Sequence, residues 1–385
     1  RQALLGARLS YFGEELLPAA RRLGARAAKA KAAGRAFEAQ RCAAAESALW
    51  SLLPAFCRWP EDAAEAFPSL APSLGSALSA RADLRGPLTE ALRRLIKQAR
   101  AAARSDEDDE DGKSDDDDDE NDDDDGLFDE ETEAKRVAET AAILEDRPDS
   151  FTADVAAAQT TAVAKFSRNF LPILFNLFVA APPERRGELS ATVGAFAQIT
   201  DSATLGGFFR TVLRKLVKVT SDAEDAADAL KEGGETRSAR RCTFMDLSLA
   251  MVPGLDSAAR DLVFKAAKPA TTERDAAVQK RAYKLFAALM RPQKVGGDKN
   301  MVSWLASNRD AAEETLVAGS GVCAPAARRY RLRCVAAILP ALMEREQAAE
   351  ETRDKNTNAT DPARTMRSDS SFAALLGELI VATRE

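Results

Sequence analysis

The chain has 385 residues, 45% of them apolar and 30% charged, and it contains no histidine. That is enough apolar chain for a sizeable core, whereas the missing imidazole excludes Ser-His and Cys-His nucleophiles, imidazole acid–base catalysis and His-ligated zinc. Aromatic residues make up only 6%, good helix formers dominate, and alternating runs of Val, Ile and Thr are scarce, so the composition is that of an all-α protein.

The first region, 1–104, reads as helices. Phe37 to Phe56 is Ala-rich, with Leu49, Leu52, Leu53 and Phe56 at helical spacing, and Pro54 is expected to kink or end it. Pro60, Pro68 and Pro72 read as breaks in the next stretch. Leu88 to Ala103 is predicted as an amphipathic helix, with Leu88, Leu92, Leu95 and Ile96 on one face and Arg93, Arg94, Lys97 and Arg100 on the other.

Residues 105–133 form an acidic tract. Between Asp106 and Asp125 it holds 16 acidic residues against one lysine, a local charge of −15, and removing that from the chain's net −7 leaves the remainder at +8. Like charges repel and there is little to bury, so the tract is expected to be a disordered linker. Ser105 and Ser114 are each followed by acidic residues and are candidate phosphorylation sites for acidophilic kinases. Nothing in the tract imposes a coordination geometry, so it is not read as a metal site.

Residues 134–385 return to helices, expected to continue beyond the C-terminal end. A start at Arg1 and an end inside an apolar helix-like segment read as a fragment. The run Phe170 to Ala181 is too short for a bilayer, which needs ~20 residues. Leu205, Phe208, Phe209, Val212, Leu213, Leu216 and Val219 follow a 3.6-residue period, with Asp201 or Ser202 as N-cap and Arg210, Arg214, Lys215 and Lys218 opposite. Further helices are predicted over Arg237–Val252, Ser257–Lys268, Arg274–Met290, Met301–Val317, Ala326–Met343 and Phe372–Thr383.

Three of these open alike, at Arg241-Cys242, Arg281-Ala282 and Arg333-Cys334, spaced 40 and 52 residues apart. The sharpest unit places Asp275 before Val278, a polar Gln279, Ala282 and Phe286. An acid, then Val, a polar residue, Ala four after the Val and a large apolar residue eight after it is the first-helix pattern of a HEAT repeat. The predicted fold is therefore a HEAT/armadillo-like α-solenoid of antiparallel helix pairs interrupted by the acidic tract, with a plain helical bundle as the alternative.

Chemistry-bearing motifs are missing. The five cysteines, Cys42, Cys57, Cys242, Cys323 and Cys334, are scattered and odd in number, and read as small buried residues in a reducing compartment. There is no C-x-x-C, no phosphate-binding G-x-x-x-x-G-K-S/T and no G-x-G-x-x-G; Gly319-Ser-Gly321 reads as a loop. No catalytic set, cofactor, metal or small-molecule substrate is expected. Trp50, Trp59 and Trp304 read as core, and Asn169 and Asn176 as backbone partners.

Several stretches nevertheless resemble a known family in the same order. They are Ser51 to Pro60, Phe67 to Pro72, Lys165 to Phe178 with Asn169 and Asn176, Phe244 to Ala250, Val278 to Tyr283, and Tyr330 to Cys334. Together they resemble the ribosomal RNA-processing protein 12 family over residues 1–104 and 137–385. The acidic tract enlarges a junction that is modest in that family, and the long flanking repeats and basic tail expected of full-length members are absent.

The resemblance implies a non-enzymatic ribosome biogenesis factor of the nucleolus and nucleus, shuttling to the cytoplasm. The implied partners are pre-ribosomal RNA, small-subunit assembly factors and ribosomal proteins, with the nuclear transport machinery for export, and no membrane. A basic remainder at +8 suits such an acidic partner. The residues expected to meet RNA or partners are Arg210, Arg214, Lys215, Lys218, Lys280, Lys284, Arg328, Arg329, Arg331 and Arg333. The alternative is a HEAT-repeat nuclear transport receptor binding cargo and a small GTPase; a phosphatase or kinase scaffold is a third class.

Overall fold

The computed structural model describes residues 8–111, 141–221, 236–291, 293–294, 301–355 and 366–382. Among them the regular structure is helical, apart from one two-residue antiparallel pair, Gln293–Lys294 with Met301–Val302. In chain order the longer helices are α1 (Leu17–Ala32), α2 (Ala36–Trp50), α3 (Ala63–Ala80), α4 (Arg85–Asp111), α5 (Ala153–Ala164), α6 (Ser167–Ala180), α7 (Arg186–Ile199) and α8 (Ser202–Ser221). They continue with α9 (Arg237–Met251), α10 (Ser257–Ala267), α11 (Ala276–Met290), α12 (Trp304–Ala318), α13 (Pro325–Lys355) and α14 (Met366–Ala382).

Local chemistry sets where these helices begin and end. Thr152, Asp201, Thr236, Asp256, Asp275 and Ser303 each accept a backbone N–H from the first turn they precede, which satisfies donors the helix itself leaves orphaned. The start of the chain is capped from a distance: Leu9 N and Ser10 N donate to the Asp62 carboxylate at 2.6 and 3.0 Å. Gly34, at φ +74, closes α1 in the left-handed conformation, and Arg35 N donates back to Ala30 O at 2.9 Å. This tight turn folds α2 back onto α1.

Three expectations differ. Pro68 and Pro72 lie inside α3 and do not break it. Both are exposed, whereas Phe67, Leu70, Ala71 and Leu74 are buried, so the prolines take the solvent side of the helix, where a lost backbone hydrogen bond costs least. Met301 is in a strand, and α12 starts at Trp304 behind its Ser303 cap. The predicted helix ending at Ala103 runs on as α4 to Asp111, into the acidic tract; residues 112–133 lie outside the described residues.

The described residues form two compact units, divided between Thr204 and Leu205 rather than at the acidic tract. In the first unit, segments from both sides of the tract share one core. Phe67 of α3 meets Phe166 and Phe170, at ring-centroid distances of 5.6 and 6.1 Å, and Phe170 stacks on Phe196 of α7 at 5.5 Å. Trp59 packs edge-on to Phe151 at 5.0 Å within a cluster that includes Ala99, Ala102 and Ala156. Buried Gln159 of α5 donates to Leu95 O of α4 at 2.6 Å. The boundary read from charge alone is thus corrected by packing: α3 and α4 bury their apolar faces against α5, α6 and α7.

In the second unit α11 is central and packs against α9, α10, α12 and α13. Val278, Ala282 and Phe286 are all buried, as the repeat pattern requires. Phe286, Phe264 of α10 and Trp304 of α12 form an aromatic trio with centroid separations of 5.0 to 6.2 Å. Gln279 is buried too, and its role is polar: Nε2 donates to Thr271 O at 2.9 Å and Val322 O at 3.0 Å, while Oε1 accepts from Ala324 N at 2.6 Å. One side chain therefore ties the turns before α11 and before α13 to α11. The fold is all-α, of the HEAT/armadillo-like solenoid class.

Candidate nucleic-acid interface

On α8 the apolar stripe is buried at Leu205, Phe209, Val212 and Leu216, which leaves Arg210, Arg214, Lys215 and Lys218 exposed together on the other side. Of these cations Lys218 lies in the last turn, where the helix dipole favours positive charge. At the other end Asp201 caps the helix, accepting from Thr204 N at 2.8 Å. That backbone hydrogen bond, together with the Thr204 side chain, holds its carboxyl below the usual range.

The second cationic group straddles α11 and α13. Lys280 and Lys284 stand one turn apart on α11, and Tyr330 and Arg333 one turn apart on α13. The three cations surround one ring: Lys280 Nζ, Lys284 Nζ and the Arg333 guanidinium lie 5.5, 4.9 and 5.6 Å from the Tyr330 centroid. All four side chains are half-buried, as are Arg328 and Arg329 in the first turn of α13.

Arg331 does not belong to this surface, contrary to the sequence reading. It is fully buried and donates from Nε and Nη2 to both oxygens of Glu378 on α14 at 2.7 and 2.8 Å, and from Nη1 to the Tyr283 hydroxyl at 3.2 Å. The next-turn geometry explains the difference: Arg329 and Arg333 flank it at even spacing in sequence, but the helix turns Arg331 inward. A Cβ on Gly319 would fall 2.2 Å from the Tyr283 hydroxyl and 2.8 Å from Arg331 Nη1, so this glycine is a packing requirement and not only a loop signal.

The other repeated arginines are also committed. Arg241 makes a two-pronged pair with Glu273, and Arg281 donates to Asp246 at 2.9 Å. Cys42, Cys57, Cys242 and Cys334 are buried free thiols and Cys323 is half-buried. Burial pushes the Cys57 and Cys334 thiols up, leaving them protonated and inert. Trp50, Trp59 and Trp304 are in the core. Ser105 falls in the last turns of α4, and Ser114 lies outside the described residues. Among the described residues no group of Cys, Asp and Glu could hold a metal ion, and no helix is long and apolar enough to cross a membrane.

Tyr330 is the residue that sequence reasoning missed. Its signal was present as the i, i+3 partner of Arg333, but its two lysines come from a helix more than 40 residues earlier, and only the packing of α13 on α11 joins them.

Comparison with known proteins adds a family context. Residues 1–181 match the family model described as ribosomal RNA-processing protein 12, HEAT repeats. The chain is 26% identical over 349 residues to an RRP12-like protein of Gallus gallus, covering 89% of this chain and 21% of the relative. It is 27% identical over 339 residues to an RRP12-like protein of Homo sapiens, covering 86% and 20%. It is 25% identical over 242 residues to ribosomal RNA-processing protein 12 of Saccharomyces cerevisiae, covering 63% and 17%. The chain thus spans about a fifth of the length of the curated relatives it matches.

Proposed function

We propose that the chain, which is similar to the ribosomal RNA-processing protein 12 family, is a non-enzymatic ribosome biogenesis factor of that kind. It acts as a helical-repeat scaffold that binds pre-ribosomal RNA and proteins during small-subunit maturation and nuclear export, in the nucleolus and nucleus. Its protein partners are small-subunit assembly factors, ribosomal proteins and the nuclear transport machinery.

The observation that carries the RNA-binding part is the exposed cationic face of α8, where Arg210, Arg214, Lys215 and Lys218 project from a helix whose opposite side is fixed in the core. Such a face meets phosphates without reading bases, which is how proteins engage structured, A-form RNA. A transport receptor would instead bind cargo mainly through protein contacts and release it on GTPase binding.

The test is charge reversal. Arg210→Glu, Arg214→Glu and Lys218→Glu together are expected to weaken binding to precursor RNA more than tenfold at about 0.1 M salt and to flatten the slope of log affinity against log salt by roughly 2, at ~0.7–0.9 per phosphate contact. Affinity and slope equal to those of the unaltered chain would overturn this reading of the face.

A further inference from the structure

We infer that the hairpin of α1 and α2 is a binding site for single-stranded RNA, with Phe37 as the platform on which an unpaired base stacks. This rests on the RNA-binding reading given above and adds a site in the first unit, whereas the α8 cations lie in the second. Two observations meet in the hairpin. Phe37, in the first turn of α2, is 74% exposed, more than any other large apolar side chain among the described residues. The hairpin is also strongly cationic: from Leu17 to Ala45 it carries seven lysines and arginines against one acid, Glu38.

Folding puts the ring among these charges. Gly34 turns the chain back, so the last turn of α1, with Lys29 and Lys31, comes beside the first turn of α2. Arg26 of α1 donates to Glu38 at 2.9 Å, and Arg35 pairs with the same carboxylate at 3.1 Å. Arg41, one turn beyond Phe37, holds its guanidinium over the ring, 5.8 Å from the centroid. One carboxylate thus serves two guanidinium groups, and Arg22, Lys29 and Lys31 make no ion pair with a described residue. The support beneath is firm. Arg21 donates to Ser73 of α3 at 2.6 Å, and Arg81, just past α3, donates to the buried Glu46 of α2 at 2.8 Å. A Cβ on Gly24 of α1 would fall 2.9 Å from that Glu46 carboxylate, so the two helices meet closely there.

The chemistry favours a single strand. An unpaired base offers a π-face to an exposed ring, and its flanking phosphates meet the cations on either side. A duplex keeps its bases stacked inside and would leave Phe37 unused. A protein partner would need a patch whose centre is poor in charge, whereas here the ring is bordered by lysine and arginine.

The experiment titrates the full 385-residue chain with a fluorescent single-stranded RNA of about 20 nucleotides, and with a duplex of the same length, across a salt series. Phe37→Ala is expected to weaken single-strand binding about tenfold, as the loss of one stacked base gives, and to leave the salt slope and the duplex affinity unchanged. Lys29→Ala with Lys31→Ala should weaken single-strand binding and lower its salt slope by roughly 1.4, at ~0.7 per phosphate contact. Phe37→Trp should bind as tightly as the unaltered chain, and its exposed indole, added to three buried ones, should be quenched by the RNA. Phe37→Leu should bind as weakly as Phe37→Ala. All three positions are exposed, so the thermal melt should not move. Tight single-strand binding by Phe37→Leu, or an equal loss of duplex binding in Phe37→Ala, would overturn the stacking site. Single-strand affinity unchanged in either Phe37→Ala or the double-lysine variant, while the α8 reversal still weakens binding, would overturn this site and leave the broader reading standing. No change in any variant, the α8 reversal included, would overturn both.

Discussion

At the scale of single residues, the clearest lesson is Arg331. It is fully buried, and its two-pronged bond to Glu378 fastens α14 to α13. Removing one partner of such a pair leaves the other charge poorly solvated. Arg331→Ala is expected to cost about 3 kcal/mol, and chemical denaturation of the second unit should show it as a lower midpoint; a loss under ~1 kcal/mol would mean that the pair is freely exchanged with water. Gly319→Ala should cost about 1–3 kcal/mol by driving a methyl into Tyr283 and Arg331, read in the same denaturation. Neither effect was legible in the sequence. Composition and period identify Arg331 only as one of four arginines between 328 and 333, and its inward direction depends on a glutamate 47 residues later. By contrast the capping role of Asp201, the core placement of the three tryptophans and the free cysteines follow from local chemistry and were readable directly.

At the scale of elements, α11 shows how a repeat pattern becomes structure. Val278, Ala282 and Phe286 lie on the buried face, and Ala282 leaves no room where neighbouring helices approach. Ala282→Phe is expected to destabilise the second unit by about 2 kcal/mol through overpacking, whereas substitution at exposed Ala277 should leave the melt unchanged. The N-cap of α11 adds a pH dependence. The Ser238 hydroxyl, then the backbone N–H groups of Val278 and Ala277, hold the Asp275 carboxyl below its ordinary value. A folded pKa below the unfolded one stabilises above about pH 4 and is lost as pH falls through the folded value. The stability advantage of the unaltered chain over Asp275→Asn should therefore be present at neutral pH and shrink below about pH 4, as denaturation midpoints across that range would register. The pattern was legible because HEAT spacing is local. The prolines of α3 were misleading for the opposite reason: a proline ends a helix most readily where its lost hydrogen bond would be buried, and Pro68 and Pro72 are exposed on α3.

At the scale of the whole molecule, charge suggested a boundary at the acidic tract, and packing moves it to residues 204 and 205. Described segments on both sides of the tract share the first unit, because Phe67 and Leu95 on one side are joined to Phe170 and Gln159 on the other. Residues 1–111 expressed alone should fail to give a cooperative melt, and co-expression with 141–385 should restore a complex that co-purifies; an independently folded 1–111 would contradict a shared core. Long-range pairing of this kind leaves no mark on local sequence. The likeness to a family was legible further than geometry: the ordered motifs pointed to it, and the chain is similar to a relative of that family over 89% of its length. The central claim, that this repeat array works on the pre-ribosome, is tested most directly by crosslinking in living cells followed by sequencing of the attached RNA. The account predicts reads concentrated in small-subunit precursor RNA, depleted when Arg210, Arg214 and Lys218 are reversed to Glu. Recovery of no precursor RNA, with cargo proteins released by a small GTPase instead, would contradict it.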